Sequence, residues 1–541
     1  MNKNFISDMP RSRRLRWLVV IALVVIFTAC FWLHPKLMDD WWFIQHNRHY
    51  LRDPSWKSFL QSVTENLSYR FFNDNGRIPN LFGAPIMLLP DWVRAVGLGL
   101  CVGLMIYLGA LITGVWRRSI FGFSVLVASF VFLIPWFDSM FINMFPLNYL
   151  VASVLMLWVG YLALYHPDMK WGYAAAGGLV LGMWHEAFTA AAIGGILGLL
   201  IAFPSYRKAS VWAWCAGMIM AMVYFINVPA TGNKMDSYLW ISLDLSQGKL
   251  LGLPFYLYVT IVCLGLAIPR WRPRFFTPVM GLVFGSALGG FLLWRCFMGA
   301  YRSSWPMLMY SGLGLALVVS LFRSGKSVTG RIMAAILLLI SVAQPLATVP
   351  WFVKIRHDDQ AINDVMWSNL GVDSTFFVEM TTEETVPAYT LNRPNFALLL
   401  LQPSVYRRVV PAFLKDFAPE RATPIGRGCE AYLYKNHIVL KDPEPGHRIL
   451  HSLIGFADGK VLNIECSYTP FVTDAGTFYY ASTRHAFERR HMSHIVWFEI
   501  EDYEDNNFIV ADTLNYMTLD RPVNEIEARL RQLGRTVGSI Y

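Results

Sequence analysis

Two adjacent carboxylates, Asp39 and Asp40, follow directly on the first long apolar run, in the stretch MDDWWF. Carboxylates beside hydrocarbon are costly, and where they persist they are a functional hypothesis by default. Held against aromatic groups, here Trp41 and Trp42, a carboxylate keeps a proton more tightly than in water, which suits a general base. Such a base could activate a hydroxyl for attack on a glycosyl phosphate, with a lipid-anchored phosphate or diphosphate as leaving group. Arginine suits that phosphate because it stays charged and binds through a planar fork. Arg77 in NGRIPN, and Arg295 and Arg302 in RCFMGAYRSSWP, are the candidates. Asn148 in FPLNY and the pair His185–Glu186 complete the set, Glu186 adding a third carboxylate.

Each residue also has a plainer role open to it. Asp39 and Asp40 could cap a helix at the membrane edge, and Trp41 and Trp42 could anchor the interface instead of stacking on a sugar. His185–Glu186 could be a polar turn; without a second histidine at helical spacing it is not a zinc-protease motif. Arg295 and Arg302 could be snorkelling helix ends. NGR could be a turn in which Gly76 takes positive φ. What favours chemistry is that all of them are expected near one membrane surface.

That expectation rests on the elements that position them. Of 541 residues, 55% are hydrophobic and 15% charged, with mean hydropathy +0.39, against roughly 25% charged in a soluble domain. Runs of about 17–22 apolar residues have the length of a membrane-spanning helix. The composition excludes a soluble globular protein. The net charge of +9 comes from basic residues at helix ends, so topology explains it better than nucleic acid does.

The apolar runs predict about eleven spans, at 17–34, 92–113, 120–137, 147–165, 171–184, 187–203, 211–228, 253–269, 277–294, 305–322 and 331–350. The N-terminus has a basic start like a signal peptide. Its run is too long and lacks a small-x-small cleavage site, so it reads as an uncleaved first helix. The fifth and sixth spans come from one stretch, 171–203, divided at His185–Glu186; an unbroken helix would make ten. Charge favours the division: with the N-terminus inside, connections such as WRRS, SYRK and PRWRPRF put about sixteen Lys and Arg in the cytoplasm and about four outside. The candidate residues then fall in the extracytoplasmic connections.

An odd number of spans puts the tail, 351–541, outside. STFFVEM, HIVLK, KVLNIEC, TFYYAS and HIVWFEIED read as strands, DVMWSNLG and NEIEARLRQLG as helices, and FADGK as a hairpin turn. The expected fold class is a polytopic α-helical membrane protein, residues 1–350, followed by a soluble mixed α/β domain, residues 351–541. Cys30, Cys101, Cys215, Cys263 and Cys296 lie in or near membrane runs and read as small buried apolar residues. Cys429 and Cys466 could pair in an extracytoplasmic tail.

Taken in order, DDWWF, NGRIPN, FPLNYL, WHEAF and YRSSWP resemble the GT-C class of membrane glycosyltransferases over residues 15–350. Within that class the chain is similar to a poorly characterised bacterial group related to the glucosyltransferases that decorate the O-antigen of lipopolysaccharide. The resemblance implies a polyprenyl-phosphate-linked sugar donor and inverting transfer on the periplasmic side of the inner membrane. The acceptor would be an envelope glycan or lipid, and the base Asp39 or Asp40. Some members of the class need a divalent metal, Mg or Mn, and others none; Asp39, Asp40 and Glu186 could supply oxygen ligands, although no pattern demands it. Membrane lipids are the other expected partners. Two rivals stay open: a polysaccharide polymerase or ligase, which usually carries its soluble part in a late loop, and a transporter or flippase of lipid-linked sugars, which tends to place polar groups at mid-membrane. A non-catalytic scaffold is a third.

Overall fold

The computed structural model describes residues 11–34, 40, 43–44, 46–136, 144–229, 249–295, 301–322, 327–368, 376–379, 409–426, 430–435, 437–441, 448–456, 461–464, 466–483 and 492–501. Over these residues the chain is a polytopic helical membrane protein with β-structure toward its C-terminus. Its long helices are α1 (Arg11–Leu33), α2 (Trp56–Asn73), α3 (Asp91–Ile112), α4 (Ile120–Phe132), α5 (Met144–Tyr165), α6 (Trp171–Gly182), α7 (Glu186–Ala202), α8 (Ala209–Asn227), α9 (Lys249–Ala267), α10 (Pro278–Leu293), α11 (Trp305–Phe322) and α12 (Val328–Ser368).

Six of them, α1, α3, α5, α8, α11 and α12, are long and apolar enough to cross a membrane. Helices α4, α7, α9 and α10 are apolar but shorter among the described residues. Helix α6 has 12 residues; at about 1.5 Å per residue it reaches roughly 18 Å, well under the ~30 Å of a hydrocarbon core. Stops in the sequence shorten these elements. Helix α4 ends three residues before Pro135, and α10 begins at Pro278, with the Thr277 hydroxyl accepting from the Met280 amide at 3.3 Å. The break expected in 171–203 is present: α6 ends at Gly182 and α7 starts at Glu186. Helix α12 runs 41 residues without interruption, past the end expected near 350. Helix α2 falls where a long loop was expected. Its buried positions are Ser58, Ser62, Asn66 and Arg70, a polar stripe at i, i+4 spacing that carries no hydrophobic periodicity.

The chain forms two compact units. The first comprises Met1–Trp32, Val63–Ile86 and Trp92–Val349. Its helices pack through glycine. A Cβ on Gly194 of α7 would run into the carbonyl of Gly285 on α10, and one on Gly285 into the carbonyl of Gly194. Gly198 stands in the same relation to the Gly281 carbonyl, and Gly289 to that of Ala190. Spaced four apart on both helices, these glycines let the two backbones touch. This is how helices associate where apolar surface alone gives no net attraction between them. Gly178 and Gly217 play the same part between α6 and α8.

The second unit comprises Leu33–Ser62, Met87–Asp91 and Pro350–Tyr541. In it, His34 stacks edge-on to Phe352 with ring centres 5.4 Å apart. Asp40, Asn47, Asp358 and Asp359 are buried. Its β-structure comprises β1 (Phe376–Val378), β2 (Val409–Pro411), β3 (Thr423–Pro424), β4 (Ala431–Tyr434), β5 (His437–Lys441), β6 (Arg448–Phe456), β7 (Val461–Ile464), β8 (Cys466–Thr473), β9 (Gly476–Thr483) and β10 (Met492–Glu501). Strands β1 and β2 pair in parallel, and antiparallel sheets run β10-β6-β7 and β3-β4-β5-β9-β8. Phe417, Phe471 and Phe478 cluster on the larger sheet, Phe417 and Phe478 with ring centres 4.9 Å apart. All five segments read as strands contain one. Helix α12 includes DVMWS of the first tail helix, whereas NEIEARLRQLG and the turn of FADGK lie outside the described residues. Cys429 also lies outside them. Cys30 and Cys215 are buried, but Cys263 is exposed on the surface of α9, correcting the expectation of a buried residue there.

Candidate functional site

The break between α6 and α7 brings the first unit's polar residues together. His185 caps α7: its Nδ1 accepts from the Ala187 amide at 3.2 Å. An interrupted helix leaves carbonyls without partners, which must be satisfied away from water. The Thr189 hydroxyl donates to the carbonyls of Gly182, at 2.6 Å, and His185, at 2.9 Å. The Ile78 amide donates to the Met183 carbonyl at 3.2 Å, and Trp184 Nε1 to the Leu147 carbonyl at 2.7 Å. The break is thereby tied both to the NGRIPN segment and to the start of α5.

NGRIPN is itself held from several sides. Gly76 has φ +62°, and a Cβ there would press on Tyr224 Oη and Val228, each at 2.9 Å. The sharp turn and the close neighbour both require glycine. Tyr224 Oη donates to the Gly76 carbonyl at 2.8 Å, and Asn75 Oδ1 accepts from the Arg77 amide at 3.2 Å.

The turn aims Arg77 at Glu186. Arg77 Nε donates to Glu186 Oε2 at 2.8 Å, and Nη2 donates to Oε1. Both carboxylate oxygens are engaged in a parallel fork between residues 109 apart in sequence. The side chains are 11% and 21% exposed, so the pair is largely but not wholly shut off from outside. Burial works against the Arg77 charge, and the Glu186 carboxylate more than restores it, leaving the guanidinium pKa above its ordinary value. Arg77 therefore stays charged. Guanidinium has five N–H donors; two go to Glu186, leaving three for an anion.

Behind the ion pair runs a chain of amides and carboxylates. Arg70 Nη1 donates to Asp74 Oδ2 at 2.9 Å, and Asn80 Nδ2 donates to Asp74 Oδ2 at 3.1 Å. Asn148 Nδ2 donates to Asn80 Oδ1 at 2.8 Å, and Asn66 Nδ2 to the Leu81 carbonyl at 2.6 Å. Beside it is an aromatic wall. Tyr149 has its ring centre 4.6 Å from that of His185 and 6.1 Å from that of Trp305, and Phe188 meets His185 edge-on at 5.5 Å. Asn148 Oδ1 and Trp305 Nε1 are buried with no hydrogen-bond partner among the described residues. The arrangement combines spare cationic donors, one spare acceptor, one spare donor and apolar ring faces. It suits a phosphorylated, hydroxyl-rich ligand with an apolar part.

Of the residues expected from the sequence, Arg77, Asn148, His185 and Glu186 come together here. Arg295 lies over the Trp294 ring, 5.3 Å from its centre. Asp40 is fully buried and belongs to the second unit. Asp39, Trp41, Trp42 and the side chain of Arg302 lie outside the described residues. Reading the sequence missed Asn66, Arg70, Asp74, Asn80, Tyr149 and Trp305. The signal that could have found the first three is the i, i+4 polar stripe of α2 leading into NDNGR. Among the described residues no group of three or more His, Cys, Asp or Glu is placed to hold a metal ion. Searches against protein-family models, curated proteins and solved structures returned no match to this chain.

Proposed function

We propose that the protein is a membrane glycosyltransferase of the GT-C type, transferring a sugar from a polyprenyl-phosphate-linked donor to a cell-envelope glycan or another acceptor. In this reading the helices form about eleven crossings of a bacterial inner membrane, the 12-residue α6 crossing where the bilayer thins around it, with the N-terminus in the cytoplasm and the tail outside. The observation that carries the reading is the Arg77–Glu186 fork set at a break between two apolar helices. A permanently charged guanidinium with spare donors, beside aromatic rings and at a helix break, is suited to a phosphate whose lipid tail stays in the bilayer. Glu186 spends both oxygens on Arg77, so its role here is to hold the guanidinium. The base remains assigned to Asp39 or Asp40, from their position after the first helix.

The test is glycosyl transfer in native membranes supplied with lipid-linked sugars, comparing the wild type with Asp39→Asn, Asp40→Asn and Arg77→Lys at matched expression. Loss of transfer in one aspartate variant, together with weaker donor binding in Arg77→Lys, is the expected result. Full transfer by all three would overturn the assignment. One observation favours a second reading, a transporter of lipid-linked sugars: interrupted helices are a recurring feature of transporter binding sites. Movement of lipid-linked sugar across sealed vesicles without transfer would select it.

A further inference from the structure

Helix α7 carries Glu186 at one end and a different feature at the other. From its middle to its last turn, a groove of about 450 Å³ runs between α7, α9 and α10. Its floor is backbone: Gly194 and Gly198 from α7, Gly281 and Gly285 from α10. Apart from Thr277, every side chain lining it is apolar. Its size falls within the range of small-molecule sites, about 300–1,000 Å³, and the glycine contact between α7 and α10 leaves its floor without side chains.

The far end of the groove is bordered by Phe203 and Phe276. There the chemistry changes. Arg270, Arg272 and Arg274 immediately precede the Phe275–Phe276 border in sequence, and all three are exposed. None has an acidic partner among the described residues. Arg207 lies at the same end, donating from Nε to the Leu200 carbonyl at 2.9 Å and from Nη2 to the Ile201 carbonyl at 3.3 Å. Ile201 is itself part of the groove wall.

We propose that this groove holds an acyl chain of an anionic phospholipid, with the lipid phosphate against Arg270, Arg272 and Arg274. The apolar channel selects a hydrocarbon chain, and three exposed guanidiniums on the segment leading into its Phe275–Phe276 border, without acidic partners among the described residues, select a phosphate-bearing headgroup with net negative charge. A free phosphate would leave the channel unfilled. A second copy of this chain would bring an identical basic rim against the first. The proposal concerns the end of α7 opposite the Arg77–Glu186 pair and does not depend on the glycosyltransferase reading.

The experiment is native mass spectrometry of the full-length protein with phosphatidylglycerol and phosphatidylcholine of matched acyl chains. The wild type should retain phosphatidylglycerol roughly a hundredfold in preference to phosphatidylcholine, about fivefold for each of the three arginines. Replacing Arg270, Arg272 and Arg274 by Gln should lower phosphatidylglycerol retention by about fivefold per arginine, toward parity with phosphatidylcholine. Leu288→Trp, which fills the groove at a position partly exposed on α10, should lower retention of both lipids with the arginines intact. Equal retention of the two lipids by the wild type would overturn the proposal. So would a preference that survives the triple substitution, or a dimer that excludes lipid. If a variant fails to fold, the wild-type comparison still decides.

Discussion

Removing the Glu186 charge should destabilise the protein strongly, and removing Arg77 as well should restore most of what was lost. In Glu186→Gln the guanidinium stays at 11% exposure and faces a neutral amide. Breaking a buried pair by deleting one partner costs about 3–5 kcal/mol, whereas replacing both by apolar groups is often near neutral. Glu186 is 21% exposed, so the lower end, about 3 kcal/mol, applies to each single change. Arg77→Met and Glu186→Leu should each lose that amount, and the double variant about 1 kcal/mol or less, a coupling energy of about 5 kcal/mol. The assay is reversible unfolding in mixed micelles, followed by tryptophan fluorescence for the wild type, both single variants and the double. If the two single losses add in the double variant to within about 0.5 kcal/mol, the pair is not coupled and the reasoning fails. A further comparison separates support from binding. The double variant should be stable yet unable to hold a lipid-linked phosphate, because it lacks the spare donors of Arg77. If it binds donor as the wild type does, Arg77 is structural only.

Thr189→Val should cost about 1–3 kcal/mol, since it strands the Gly182 carbonyl at the break without a donor; the same unfolding assay reads it. Gly285→Ala should lower stability by about 1–3 kcal/mol by forcing a methyl against the Gly194 carbonyl. Gly97→Ala, in α3 with nothing within 4 Å of the added carbon, should instead be neutral or gain up to about 1 kcal/mol. Equal effects at the two glycines would refute the close-packing account. Asn148→Leu removes the donor to Asn80 Oδ1 and should cost about 1–3 kcal/mol; a neutral result in unfolding would show that the amide chain contributes nothing to holding α5 against NGRIPN.

The sequence by itself determined the solvent. Long apolar runs with charges confined to their ends have no other stable home than a bilayer, and that followed from counting. It also favoured the break at His185–Glu186, because dividing that apolar stretch keeps the basic connections on the cytoplasmic side, and it marked the strands of the tail through their Val, Ile, Tyr and Phe content. Helix α2 was hidden for a definite reason. Its buried positions are Ser58, Ser62, Asn66 and Arg70, so the periodicity that betrays a helix was written in polar residues.

Only the tertiary structure decided which polar residues meet. From the sequence, Arg77 is a candidate phosphate ligand or turn residue and Glu186 a third carboxylate of the site or part of a polar turn, each judged from its own surroundings. Their fork depends on a positive-φ glycine pinned by Tyr224, a helix end satisfied by Thr189, and an Ile78 amide bonded to the break. Apart from the Thr189 contact, these join segments roughly a hundred residues or more apart. Separations of that kind leave no local pattern, because side-chain pairing across a fold is set by how backbones approach. Here the approach is set by glycines whose importance lies in the atoms they lack.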